Sequence, residues 1–93
     1  MSRPPEVLLY STRFCPYCIR AKMLLKRKSV SYKNISVDAN SKRWQEMEQR
    51  SHRFTVPQIF IGDYHVGGYT ELAELNRTHQ LDDLLTGKLT KPS

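Results

Sequence analysis

Both cysteines of the chain fall in one tetrapeptide, Cys15-Pro16-Tyr17-Cys18, set where a strand pattern gives way to a helix pattern. Before it runs Glu6-Val7-Leu8-Leu9-Tyr10-Ser11, a short apolar stretch of β-formers that predicts a buried strand. Pro4-Pro5 cannot extend a ladder and mark where that strand begins. After it, Pro16 suits the first helical position, because the N–H it lacks would find no partner there. Tyr17, Ala21, Leu24, Leu25 and Lys28 keep helical spacing, and Lys26-Arg27-Lys28 put positive charge at the negative end of the helix dipole. The spacing predicts a helix over 16–28.

The remaining elements follow from period and punctuation. Tyr32, Ile35 and Val37 predict a second strand over 30–37. Asp38-Ala39-Asn40-Ser41 reads as a turn that caps a helix over 41–50, with Trp44, Met47 and Glu48 on one face. Pro57-Gln58-Ile59-Phe60-Ile61 is the third strand, and Gly62-Asp63 turns it into a short antiparallel partner, Tyr64-His65-Val66. Gly67-Gly68 ends that hairpin. Thr70 opens a helix with Leu72, Ala73 and Leu75 inside, and Leu81, Leu84 and Leu85 suggest a further short helix after a break near His79. The tail from Gly87 is polar and is expected to be loose. The order β-α-β-α-β-β-α needs a right-handed crossover and a parallel pair, and the closing hairpin adds antiparallel strands. An α/β fold is expected, a mixed four-stranded sheet with helices on both faces. No linker, repeat or compositional break divides the 93 residues, so one domain over 1–93 is expected, with its core at about 6–86.

Charge and composition narrow the function classes. The net charge is +6, from 15 Lys and Arg against 9 Asp and Glu. The basic residues are spread out and do not alternate with aromatics as a nucleic-acid stacking platform requires, so they read as solvated helix faces or as a field that steers anionic substrates. No nucleic acid is expected as partner. No apolar stretch approaches the ~20 residues of a membrane span, and no leader pattern opens the chain, so no membrane and a cytoplasmic address are expected. Two cysteines cannot form a disulfide scaffold of this size, and cytosolic thiols stay reduced.

The placement of the tetrapeptide gives it chemistry. A cysteine at a helix N-terminus faces unpaired backbone N–H groups and the positive end of the dipole, which favour thiolate over thiol. Cys18 lies one turn further in, on the same face and within disulfide reach. Cys15 is therefore the candidate attacking thiolate and Cys18 the candidate resolving thiol, with Arg13, Arg20 and Lys22 adding positive potential. Zinc is disfavoured, since one C-x-x-C supplies two ligands where a structural site needs four and His52, His65 and His79 form no paired set. Two ordinary buried cysteines, or a [2Fe–2S] cluster shared between two chains, are the remaining readings.

At Cys15-Pro16-Tyr17-Cys18 the chain resembles the dithiol glutaredoxins of the thioredoxin fold, and the likeness runs from about Glu6 to Leu85. Thr55-Val56-Pro57, the following Gln58-Ile59-Phe60-Ile61 and the pair Gly67-Gly68 match further segments of that family in the same order. The resemblance implies a thioredoxin-fold, glutathione-dependent thiol–disulfide oxidoreductase. It would act as a monomer on glutathionylated and disulfide-containing proteins, with glutathione as reductant and no metal. It implies a cis Pro57 beside Cys15, with Val56 backbone groups turned outward to pair with an extended peptide; a plain strand-start proline is the other reading. It places glutathione against Arg13, Tyr17, Thr55, Val56, Pro57, Gly68, Tyr69 and Thr70. Gly67-Gly68 is either a hairpin exit or a helix start that a ligand carboxylate approaches. Tyr17 either packs on the ligand or caps the helix start. The family usually has lysine where this chain has Thr12, and Arg13 is expected to take over part of that role. Tyr69-Thr70-Glu71 stands where the family often has Cys or Ser before Asp-Asp. Thr70 is then a bond to the γ-glutamyl carboxylate or a cap, and Arg50 and Arg53 read as a solvated helix end. The alternatives from other classes are an electron donor reduced by thioredoxin reductase and a [2Fe–2S]-binding homodimer.

Overall fold

The computed structural model describes residues 4–38 and 41–92. Val7–Ser11 forms β1, buried along its whole length. It is buried because it is a central strand, parallel to β2 (Lys33–Ser36) on one side and antiparallel to β3 (Gln58–Ile61) on the other. A strand covered on both faces needs a continuous apolar run rather than an alternating one. β4 (Tyr64–Gly67) pairs antiparallel with β3, giving the order β2-β1-β3-β4.

Alternate residues of these strands enter two cores. Val7, Leu9, Ile59 and Ile61 face α1 (Pro16–Arg27), α3 (Tyr69–Arg77) and α4 (Leu81–Thr86), which bring Ala21, Leu24, Leu25, Leu72, Leu75, Leu81 and Leu84. Leu8, Tyr10 and Phe60 face α2 (Ser41–Ser51), which brings Met47 with Trp44 at its edge. Helices thus cover both faces, as expected. On the α2 side the Tyr10 hydroxyl donates to Glu46 at 2.6 Å and accepts from Arg50 at 3.3 Å. The Arg50 guanidinium lies 4.6 Å from the Phe60 ring centre. Arg50, itself exposed, thereby covers the edge of the α2 core.

Several boundaries differ from expectation for local reasons. β2 starts at Lys33 and not at residue 30, because the chain leaves α1 through Ser29 at φ 57° and must first come alongside β1. Val30 and Tyr32 pack on the core on the way. α3 begins at Tyr69, one residue early, with Gly68 as its N-cap. His79, at φ 64°, breaks α3 from α4. Past Gly87 the tail is less loose than its polarity suggests. Leu89 donates its N–H to the Asp83 carbonyl at 3.1 Å and packs on the core. The expected capping turn at Ala39-Asn40 lies outside the described residues.

Candidate active site

Three segments meet at the reactive end of the sheet. The first is the β1–α1 turn. Cys15 is the N-cap of α1, with extended backbone (φ −106°, ψ 112°), and Pro16 follows it into the first turn. The Cys18 N–H donates to Cys15 Sγ at 3.3 Å, so an orphan donor of the helix start points at the sulfur. Cys15 is half-buried while Cys18 is fully buried, and both are free thiols. Burial, helped by the bond to Cys15, pushes the Cys18 thiol up to about 12. The two sulfurs therefore differ in access, with Cys15 the one an outside disulfide can reach.

The second segment is the loop before β3. The Val56–Pro57 peptide is cis. Cys15 Sγ lies 3.8 Å from the Val56 carbonyl, within reach of a weak S–H donation. A buried side chain behind the loop holds it. Gln58 Nε2 donates to the Thr55 carbonyl at 3.0 Å and to Thr55 Oγ1 at 3.2 Å, while Gln58 Oε1 lies 2.7 Å from His65 Nε2. A carbonyl only accepts, so the Gln58 amide must turn its nitrogen to Thr55 and its oxygen to His65, and His65 Nε2 must carry the hydrogen. Burial, then the nearby Arg53 charge, hold the His65 ring below its usual value, partly offset by Glu71. The ring also stacks on Phe60 at 4.8 Å.

The third segment is the start of α3. The Gly68 N–H donates to Glu71 Oε1 at 2.8 Å, and Arg53 Nη1 meets the same oxygen at 2.8 Å. Those two contacts, the Gly68 N–H first, hold the Glu71 carboxyl below the usual carboxylate range. Gly67 has φ +111°, a conformation that favours glycine, and a Cβ there would push the Glu71 carboxylate off its bond to the Gly68 N–H.

Between the three segments lies an open groove of about 170 Å³. It is lined by the predicted Tyr17, Thr55, Val56, Pro57, Gly68, Tyr69 and Thr70. Tyr17 and Tyr69 tilt toward each other across its rim, ring centres 6.4 Å apart. Arg13, the remaining expected residue, does not line the groove. Its backbone N–H donates to Asp38 at 3.0 Å and its guanidinium pairs with the same carboxylate at 3.3 Å. Asp38 thus holds it toward the end of β2, outside the groove. The cation that does line the groove is Arg53, read from sequence as a solvated helix end, with Glu71 beside it. The Gln58–His65 support was also missed; its only signal was the placement of both residues on the same face of a predicted hairpin. A larger hollow of about 690 Å³ at the other end of the molecule, between Pro4–Val7 and Ser29–Lys33, contains no nucleophilic thiol. Among the described residues no group of three or more His, Cys, Asp or Glu gathers as a metal site, and no helix is long and apolar enough to cross a membrane.

Comparison with known proteins agrees with this geometry. The family model described as glutaredoxin matches residues 7–66. A curated glutaredoxin of Pseudomonas aeruginosa is 46% identical over 82 residues, 88% of this chain and 98% of the relative. The solution structure of glutaredoxin from Brucella melitensis shares 46% identity at a TM-score of 0.81, covering 92% of this chain and 95% of the other. The crystal structure of a buckwheat glutaredoxin–glutathione complex shares 30% identity at a TM-score of 0.81, covering 89% and 78%. The architecture is the thioredoxin fold that these relatives share.

Proposed function

The chain belongs to the glutaredoxin family and is a thiol–disulfide oxidoreductase, and from that premise we propose that it uses glutathione to reduce protein–glutathione mixed disulfides and protein disulfides. The observation that carries this reading is the approach of Cys15 Sγ to the Val56 carbonyl, which sets the thiol beside a residue that lines the open groove. The Val56 backbone pairs with the extended tripeptide. The first N–H groups of α3, at Gly68, Tyr69 and Thr70, receive a ligand carboxylate. Tyr17 and Tyr69 cover the ligand, and Arg53 is the groove cation available to its second carboxylate. The relative solved as a glutathione complex supports this use of the groove.

In the reaction, the Cys15 thiolate attacks the glutathione sulfur of a glutathionylated protein. The Cys15–S–S–glutathione bond forms, the substrate S–S bond breaks, and the substrate leaves as a thiolate that takes a proton. A second glutathione thiolate attacks the bound glutathione sulfur, yielding glutathione disulfide and regenerating the Cys15 thiolate. With a protein disulfide, the Cys15 thiolate first bonds one substrate sulfur and frees the other as a thiolate; Cys18 then loses its proton and attacks Cys15 Sγ, breaking that mixed disulfide, closing Cys15–Cys18 and releasing the reduced protein, and two glutathiones reduce the new bond. A thiol pushed up to about 12 is almost wholly protonated at neutral pH, which favours the one-thiol route for glutathionylated substrates.

The test is turnover of a glutathionylated peptide with glutathione and glutathione reductase, comparing the native chain with Cys15→Ser and Cys18→Ser. Activity should vanish with Cys15→Ser and persist with Cys18→Ser. Inactivity with glutathione, together with direct reduction of the oxidised protein by thioredoxin reductase, overturns the reading.

A further inference from the structure

Two large aromatic side chains stand in solvent on either side of the reactive thiol. Phe14 immediately precedes Cys15 and is 90% exposed; Phe54 stands two residues before Val56 and is 74% exposed. The two segments that carry them meet at the thiol itself, through the contact of Cys15 Sγ with the Val56 carbonyl. Neither ring lines the groove, so neither is needed to hold a small ligand there. Each follows an arginine, Arg13 and Arg53, and Arg20 stands over the Tyr17 ring at 5.5 Å on the same rim. Arg13 and Arg53 are paired with Asp38 and Glu71, which leaves Arg20 and Lys22, in the first two turns of α1, as cations near the thiol that make no ion pair among the described residues. Exposed apolar side chains grouped at a reactive centre and rimmed by one sign of charge mark an interaction surface.

We propose that Phe14 and Phe54, with Arg20 over the Tyr17 ring, form the docking surface for a protein substrate whose target cysteine is flanked by apolar and acidic side chains. This rests on the thiol–disulfide reading above and adds the substrate class to it. The two rings sit on separate loops, so a polypeptide crossing Cys15 covers both, whereas a small disulfide in the groove covers neither. A protein is favoured over a lipid surface because the patch is centred on a sulfur whose chemistry needs a disulfide partner.

The experiment compares the native chain with the Phe14→Ala/Phe54→Ala double variant on three substrates. One is a glutathionylated peptide with leucine and glutamate flanking its cysteine. The second has glycine and serine there, and the third is bis(2-hydroxyethyl) disulfide. The double variant should raise KM for the first peptide by about fivefold or more, with kcat held, and leave the small disulfide within about twofold. The native chain should prefer the first peptide over the second, less so as salt rises. Fluorescence anisotropy with the serine form of the first peptide reads the same surface without turnover. It decides the proposal even where the native chain is inactive with glutathione, an outcome that sinks the glutathione reading alone. Equal effects on all substrates, or unchanged affinity for the serine peptide, overturn the docking proposal. So does unchanged peptide KM with loss of binding to phosphatidylserine-containing vesicles, which assigns the patch to lipid.

Discussion

Gln58 has no solvent exposure, yet every polar atom of its side chain is engaged, and the partners are what make the residue informative. A buried amide left with one unmet group pays the full desolvation of that group, while an apolar replacement of similar shape pays little. His65→Phe keeps a ring on Phe60 but removes the donor that satisfies Gln58 Oε1. It should destabilise the protein by about 1–3 kcal/mol in urea unfolding, and Gln58→Met combined with His65→Phe should recover most of the loss. A double variant no more stable than His65→Phe alone would mean that the orphaned amide is not the cause. At this same scale the two cysteines part company. Sequence spacing puts them on one helix face, but only packing buries Cys18 and leaves Cys15 partly exposed beside the Val56 carbonyl.

Helix α3 is capped by a glycine whose N–H is met by a carboxylate three residues on, one half of a capping box, since glycine has no side chain to return the bond. The Glu71 carboxyl lies below its ordinary value in the folded chain, so between the two values the unfolded chain binds more protons and stability rises with pH. Its contribution is complete above about pH 4.5, the ordinary value, and is lost as pH falls through the lower folded value. Glu71→Gln should therefore lower Tm at pH 7, and the gap from the native chain should close below about pH 4.5. Thermal melts from pH 7 to 3 check this, and parallel curves would show that the charge on Glu71 does not support the helix start. Arg53 shares that carboxylate, so the same pair that caps α3 also sets the charge of the groove.

The whole molecule is three layers deep, and its two cores differ in kind. The face under α1, α3 and α4 is built mainly of aliphatic side chains, whereas the face under α2 mixes Met47 and Phe60 with the Tyr10–Glu46–Arg50 bonds. If the layers unfold as one, Leu25→Ala on the first face and Met47→Ala on the second each cost about 2–5 kcal/mol, in a single transition. Fluorescence of Trp44, the single tryptophan, and far-UV circular dichroism should then coincide in both variants. A separate early fluorescence transition in Met47→Ala would show α2 detaching from a sheet that stays folded.

Much of this architecture is written in local chemistry. The apolar run of Val7–Tyr10, the proline after Cys15, the glycines at 62, 67 and 68 and the helical spacing of Leu24, Leu25, Leu72 and Leu75 act over a few residues, so they are legible without a fold. The proposed nucleophile is legible for the same reason, since a cysteine before a helix-starting proline meets the free N–H groups wherever that helix lies. What the tertiary structure decided is which charges face which. Arg13 and Arg53 look alike in sequence, but Asp38 at the end of β2 draws one away, and Glu71 at the start of α3 holds the other in the groove. Those carboxylates lie 25 and 18 residues away along the chain, and no local pattern carries a contact whose distance is set by how the sheet is ordered.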